Sequence, residues 1–207
     1  MPNQNGPYAA YGKRCFDLVG SIALLAISAP IHLACAAVIK LDDRGPVYFR
    51  QERIGLNGHP FILYKFRTML VGTHEISGGY PTSSMVTKSG RTLRRFSLDE
   101  LPQLWNILRG DMSFVGPRPA LPDQVVRYTE TQRRRLMVRP GLTGAAQIKY
   151  RNNAPWSARI LEDIDYVENV SPLKDLKLLL KTVPSALAGE GQAVGQTADQ
   201  VDDLGND

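Results

Sequence analysis

Polar and apolar positions alternate on very different scales along this chain. From Leu18 to Ile39 there is an uninterrupted run without Lys, Arg, Asp or Glu, LVGSIALLAISAPIHLACAAVI. A helix of about 20 such residues is long enough to cross the hydrocarbon core of a bilayer. Pro30 lies near its middle, where it deletes one backbone donor and crowds the preceding turn. Lys13 and Arg14 precede the run, and Lys40, Arg44, Arg50 and Arg53 follow it. Basic flanks favour the cytoplasmic side. A helix that enters, bends and returns satisfies both flanks, a straight crossing satisfies one, and the residues leave both courses open. A cleaved signal peptide fits poorly, because no small-residue cleavage site closes the run.

Beyond it the period shortens. PVYFRQERI and PFILYKFRT read as two strands around GLNGH, whose Asn57-Gly58 is a hairpin turn signal. Val71 to Gly90, rich in Gly, Ser and Thr, reads as a long loop. Helical periodicity returns at about 99–109, 122–137, 155–169 and 171–187, separated by the turn-rich GDMSFVGPRPA and RPGLTGAAQ. In the last helix Leu173, Leu176, Leu180 and Val183 share one face, which is expected to pack into the core. The pattern predicts an α+β protein: a mainly helical small domain with a short β-hairpin, plus an N-terminal membrane helix. Its divisions are a flexible 1–10, the membrane helix 11–40, a catalytic domain 41–188 and a disordered acidic tail 189–207.

Charge sharpens this picture. The formal net charge is +5, but Ser185 to Asp207 hold five acids and no Lys or Arg. The remainder is strongly basic, which suits phosphates, anionic lipid or nucleic acid. No nucleic-acid recognition motif accompanies it. Cys15 and Cys35 form neither a disulfide framework nor a metal-ligand spacing.

The candidate chemistry lies in FSLDELPQLWNIL. Asp99 and Glu100 sit between Arg94-Arg95 and an apolar helix. Ser97 and Glu100 have capping-box spacing, but Pro102 makes Asp99 the better helix cap. At a helix N-terminus beside basic groups, Asp99 is expected to stay ionised. An under-bonded carboxylate there could attack phosphorus or bind Mg²⁺. Lys65 and Arg67 end the hairpin, Arg118 stands between two prolines, and Arg139 opens a Gly-rich turn that could form an anion nest. Asp163 and Asp165 read as a solvated helix face or a metal site.

Together, GPVYFRQERIG, YKFRTM, LRRFSLDELPQLWNILRGDMSFVGPRP and RPGLTGAAQ, in that order behind an apolar run, resemble the bacterial sugar transferases, the monotopic phosphoglycosyl transferases. The likeness spans about residues 11–187 and resembles the minimal form, without the extra N-terminal membrane helices of larger relatives. It implies transfer of a sugar-1-phosphate from a UDP-sugar to undecaprenyl phosphate at the cytoplasmic face of the bacterial inner membrane, with both termini cytoplasmic. It implies that Asp99 is the nucleophile and a Mg²⁺ ligand, and that Glu100 assists. Lys65, Arg67, Arg94, Arg118, Arg139 and Asp163 become substrate-side candidates. It also favours a re-entrant helix broken at a Ser-Pro pair. Here that pair reads Ala29-Pro30, with Ser28 one residue early. Two other readings compete: a membrane-anchored glycosyl transferase that releases UDP, and a non-catalytic membrane scaffold. The sugar, the glycan pathway and the oligomeric state are not encoded in any motif.

Overall fold

The computed structural model describes residues 7–73, 82–150, 154–187 and 202–205. A π-helical turn, Tyr8–Gly12, leads into α1, Lys13–Asp43. An antiparallel hairpin follows, β1 Tyr48–Ile54 and β2 Pro60–Phe66, in the register Tyr48↔Phe66 to Ile54↔Pro60. Asn57 and Gly58 both take positive φ, 54° and 82°, as the tight turn requires. Next come α2 Lys88–Arg95 and α3 Gln103–Arg109, joined by a 3₁₀ turn at Leu98–Glu100. The chain continues through β3 Ser113–Val115, α4 Pro122–Val126, α5 Glu130–Arg133, β4 Gly141–Thr143, α6 Ala145–Tyr150, α7 Trp156–Glu168 and α8 Pro172–Leu187. The expected α+β class is what forms.

Three apolar clusters hold these elements. The largest joins Leu63, Leu104, Ile107, Met112, Phe114 and Tyr166. A second gathers Ala120, Val125, Tyr128, Ile160, Ile164 and Leu204. The third seats Cys35 and Ile39 of α1 on Phe66 and Leu93.

The helix α1 is not interrupted at Ala29-Pro30 as expected; helical structure continues through Pro30. The Ser28 hydroxyl donates to the Leu24 carbonyl at 2.5 Å, so the serine one residue early bonds a backbone group in the turn before the proline. Asp17, Ser21, Ser28, Cys35 and Ile39 form a single buried stripe along the whole helix. Both ends of α1 are tied to the same domain. Lys13 pairs with Asp175 at 2.5 Å, and Arg14 donates to the carbonyls of Ile107 and Leu108 at 2.6 and 2.8 Å. Asp17 accepts from the Ser113 hydroxyl and the Phe114 amide at 3.0 and 2.9 Å. At the other end Asp42 accepts from the Ser89 amide at 2.9 Å, and Asp43 pairs with Arg67. The remaining faces of α1 are apolar and exposed, including Val19, Ile22, Ile27 and Leu33, and the helix is long and apolar enough to cross a membrane.

Several other sequence expectations need correction. The helix expected over 122–137 is broken into α4, α5 and a 3₁₀ turn. Thr129 accepts from the Gln132 amide at 3.3 Å while Gln132 reaches back to the Thr129 amide at 3.0 Å, so a new capping box restarts the helix. GDMSFVG and RPGLTG are not merely turns: they contain β3 and β4, which pair in parallel. The stripe of Leu173, Leu176, Leu180 and Val183 is exposed rather than buried; Leu178 and Leu179 face the core instead. The tail is not wholly loose either, because Asp202–Gly205 pack against α4 and α7. Residues 1–6, the stretch 74–81 of the expected long loop and the rest of the tail lie outside the described residues, and the end of that loop, from Lys88, is already helical in α2.

Glycine makes the β3–β4 approach possible. A Cβ on Gly116 would stand 2.4 Å from the Arg139 carbonyl, and one on Gly141 2.1 Å from the Gly116 amide. The blocking atoms are backbone and cannot rotate away. Gly116→Ala is therefore expected to cost about 2–3 kcal/mol, as overpacking does. Thermal unfolding in detergent would register this as a clear drop in midpoint.

Candidate active site

Asp99 is placed by a sharp change of direction after α2. Thr87 caps that helix by accepting from the Gly90 amide at 3.0 Å, and its own amide binds the Thr68 carbonyl. A Cβ on Gly90 would stand 2.1 Å from the same carbonyl, so α2 lies directly on the end of the hairpin. The helix ends at Phe96, and Ser97 takes a left-handed conformation at φ 56°. The 3₁₀ turn then carries Asp99 inward, to 6% exposure.

The expected capping role fails. The N-cap of α3 is Pro102, without a side-chain cap, and Asp99 lies in the turn before it. Ser97 makes no cap bond either. Both acids are thus left to other partners. Lys65, on β2, reaches Glu100 at 2.7 Å, and Arg118 stands 3.8 Å from the same oxygen. Among the described residues no salt bridge reaches Asp99, although Lys65 and Arg94 lie close enough to act on it electrostatically.

The two carboxyls therefore titrate apart. Burial raises Asp99, and Glu100's charge adds to this; Lys65 and Arg94 oppose it, leaving the group at about 6. This corrects the expectation that its setting simply favours ionisation. Burial also acts against Glu100, but Lys65 and Arg118, with Arg94, outweigh it and hold that carboxyl below its ordinary value. Burial and Arg118 both lower Lys65 and Arg94, while the acid pair supports their charge. Among the described residues Arg94 Nε, a buried donor near a carboxylate, has no hydrogen-bond partner.

Arg118 is the hub of the cationic side. It lies on a segment whose backbone is pinned at four consecutive carbonyls. Pro117 accepts from the Gly141 amide at 2.8 Å, Arg118 from Arg135 at 3.0 Å, Pro119 from Arg53 at 3.0 Å and Ala120 from the Ile54 amide at 2.9 Å. Arg53 and Arg159 also feel Arg118, and burial lowers both. Neither was singled out from sequence. Arg53 alternates along a strand with ordinary polar residues, and Arg159 sits in a helix with no motif around it. Arg159 stacks on the Trp156 ring at 4.9 Å and donates to the Ala154 carbonyl at 2.8 Å.

Three of the substrate-side candidates belong elsewhere. Arg67 is consumed by Asp43 and by the Pro46 and Met69 carbonyls, tying the hairpin to the end of α1. Arg139 donates to the Gly110 carbonyl at 2.8 Å, at the far end of α3 from Asp99. The nest expected in RPGLTG is spent on the sheet: the Gly141 amide binds Pro117, and Thr143 accepts from Gly116. Asp163 is buried in an ion pair with Arg135 at 2.5 Å, and Arg135 in turn holds Tyr128 and the Arg118 carbonyl. Asp163 is a buttress behind Arg118. Asp165 lies on the solvated face, paired with Lys174 at 2.8 Å.

No group of three or more His, Cys, Asp or Glu that could cage a metal occurs among the described residues. The adjacent pair Asp99 and Glu100 fits a Mg²⁺ that brings phosphate and water ligands with it, since this ion is usually held by one or two carboxylates. The cluster as a whole sets two carboxyls beside Lys65, Arg94 and Arg118, with Arg53 and Arg159 close enough to interact electrostatically with Arg118.

The family model described as bacterial sugar transferase matches residues 8–189, and the chain belongs to that family. Its relatives include a protein of Bacillus subtilis (strain 168), the "Uncharacterized sugar transferase EpsL", 48% identical over 86% of this chain and 89% of that protein. The "UDP-glucose:undecaprenyl-phosphate glucose-1-phosphate transferase" of Caulobacter vibrioides is 43% identical over 84% of this chain and 69% of its own length. The "Undecaprenyl-phosphate galactose phosphotransferase" of Salmonella typhimurium is 35% identical over 86% of this chain but 41% of its own length.

Two outcomes test this site. If ionised Asp99 is the working form, kcat/KM should fall tenfold per pH unit below about pH 6 and level off above it. Glu100→Gln should remove the partner of buried Lys65 and cost about 3 kcal/mol, measured by chemical unfolding.

Proposed function

We propose that this protein transfers a sugar-1-phosphate from a UDP-sugar to undecaprenyl phosphate, releasing UMP, through a covalent phosphosugar on Asp99. The observation that carries this reading is the division of labour in the acid pair. Glu100 is neutralised by Lys65, while Asp99 is buried beside cations with no ion pair of its own among the described residues.

In the first step an Asp99 carboxylate oxygen attacks the phosphorus that bears the sugar. The bond from that phosphorus to the UMP oxygen breaks, and UMP leaves with the electron pair. In the second step an oxygen of the polyprenyl phosphate attacks the same phosphorus, and the acyl-phosphate bond returns its electrons to Asp99. Splitting one displacement into two is the usual advantage of a covalent intermediate. Arg118, on its pinned backbone, and Arg94, with a spare donor, bind the diphosphate with little rearrangement. Lys65 orients Glu100 and adds positive charge. A Mg²⁺ held by Asp99, with Glu100 adjacent, would neutralise phosphate charge as UMP departs.

The membrane part of the reading rests on α1 and α8. Exposed apolar faces of α1 enter the bilayer from the cytoplasmic side, while both ends of the helix stay tied to the domain. The exposed Leu173, Leu176, Leu180 and Val183 of α8 lie at the headgroup level. Both acceptor phosphate and donor then meet at Asp99 on the cytoplasmic face. This step starts a membrane-linked glycan.

Asp99→Asn is expected to abolish UMP release from every UDP-sugar the wild type accepts, with a loss of 10³-fold or more on the order of other nucleophile deletions. Full turnover in that variant, or release of UDP instead of UMP by the wild type, would overturn the reading.

A further inference from the structure

The family match ends at residue 189, yet a four-residue segment beyond it is docked on the domain that carries the arginines. Asp202 grips Arg127 through both carboxylate oxygens at 2.9 and 2.8 Å, and Arg127 also donates to the Leu204 carbonyl at 3.2 Å. Asp203 accepts from the amide of Ser157 at 3.0 Å and from its hydroxyl. Leu204 is 5% exposed, packed into the cluster of Ala120, Val125, Tyr128, Ile160 and Ile164. Gly205 then turns away at φ 79°. Ion pairing, capping and apolar burial thus act within four consecutive residues, and the five acids of the tail complement a basic body.

Where the segment lands gives it a consequence. Ser157 is the second residue of α7, whose N-cap is Pro155 and has no side-chain cap of its own. Asp203 supplies from a distance the acceptor that a local Ser, Thr, Asp or Asn would normally provide. That first turn carries Trp156 and Arg159, stacked on one another, and Arg159 acts electrostatically on Arg118's surroundings. Leu204 packs with Ala120, the last of the four carbonyl-pinned residues that begin at Pro117.

We infer that the C-terminal Asp202–Gly205 segment is an intramolecular strap that positions the first turn of α7 and the Arg118 loop, and so strengthens binding of the nucleoside diphosphate donor without taking part in chemistry. The inference rests on the donor reading above for its kinetic consequence; the docking itself does not. The strap touches no reacting group. Its residues are positioning residues, acting through Arg159 and Arg118.

A chain terminated after Val201 tests this, beside Asp203→Asn and Leu204→Asp in the full-length protein. Hydrogen exchange reports the dock directly: the Ser157 amide should lose protection in all three variants. The KM for the UDP-sugar in UMP release should rise about fivefold to tenfold, as loss of a helix cap implies, with kcat unchanged. A synthetic peptide of residues 200–207, added to the truncated enzyme, should restore both the protection and the KM. Unchanged Ser157 exchange in the truncated chain would overturn the dock. Lost protection with an unaltered donor KM, or a fall in kcat alone, would overturn the positioning role. If the wild type released no UMP from any UDP-sugar, the proposed reaction would fail, and the exchange difference would still decide the dock.

Discussion

The structure depends on how it satisfies a cluster of charges that it has taken out of water. A buried ion must be paired or it is strongly destabilising, and a pair repays its desolvation only with good geometry. Lys65 and Glu100 solve this for each other at 2.7 Å. Arg135 and Asp163 do the same behind the Arg118 loop. Once those pairs are made, Asp99 is left near positive charge with no salt bridge among the described residues, and burial, opposed by Lys65, raises its pKa. A buried carboxyl in that state is costly to the fold. The neighbouring Arg94, with a buried donor unspent, is in the complementary state.

Rigidity around this cluster comes from the backbone. Four successive carbonyls from Pro117 to Ala120 are each bonded, two to amides of neighbouring strands and two to the side chains of Arg53 and Arg135. Gly116, just after β3, and Gly141 of β4 let two backbones approach more closely than a side chain permits. The same elements hold α1: Asp17 binds β3 at Ser113 and Phe114, and Lys13 reaches Asp175 on α8, which also accepts from Tyr166 at 2.6 Å. The apolar helix and the acid pair are therefore parts of one packed body.

What could be read from the residues follows from the range of the forces involved. The hairpin was legible because Asn57-Gly58 and strand alternation are local signals, and α1, α7 and α8 because their periodicity is long. Asp99, Glu100, Lys65, Arg94 and Arg118 were legible as a basic, acidic and prolyl set, and the structure brings them together. Arg67, Arg139 and Asp163 carry the same residue types, but their partners (Asp43, the Gly110 carbonyl and Arg135) lie 24 to 29 positions away, and no local pattern encodes such a choice. The parallel pairing of β3 and β4 was hidden for the same reason, inside segments dominated by Gly and Pro. Arg53 and Arg159 lacked any signal except charge. The dock of Asp202–Gly205 was masked by composition: an acidic, Gly-rich tail reads as loose, and only the fold shows that Arg127 and the start of α7 wait for it.

The central claim is that Asp99 carries the sugar phosphate covalently. Its most direct test is mass spectrometry of the protein after incubation with a UDP-sugar that supports turnover, in the absence of polyprenyl phosphate. The account predicts a phosphosugar adduct on the peptide containing Asp99, formed together with UMP and lost when undecaprenyl phosphate is added. Release of UMP with no adduct at any time, or an adduct on another residue in the wild-type protein, would contradict it.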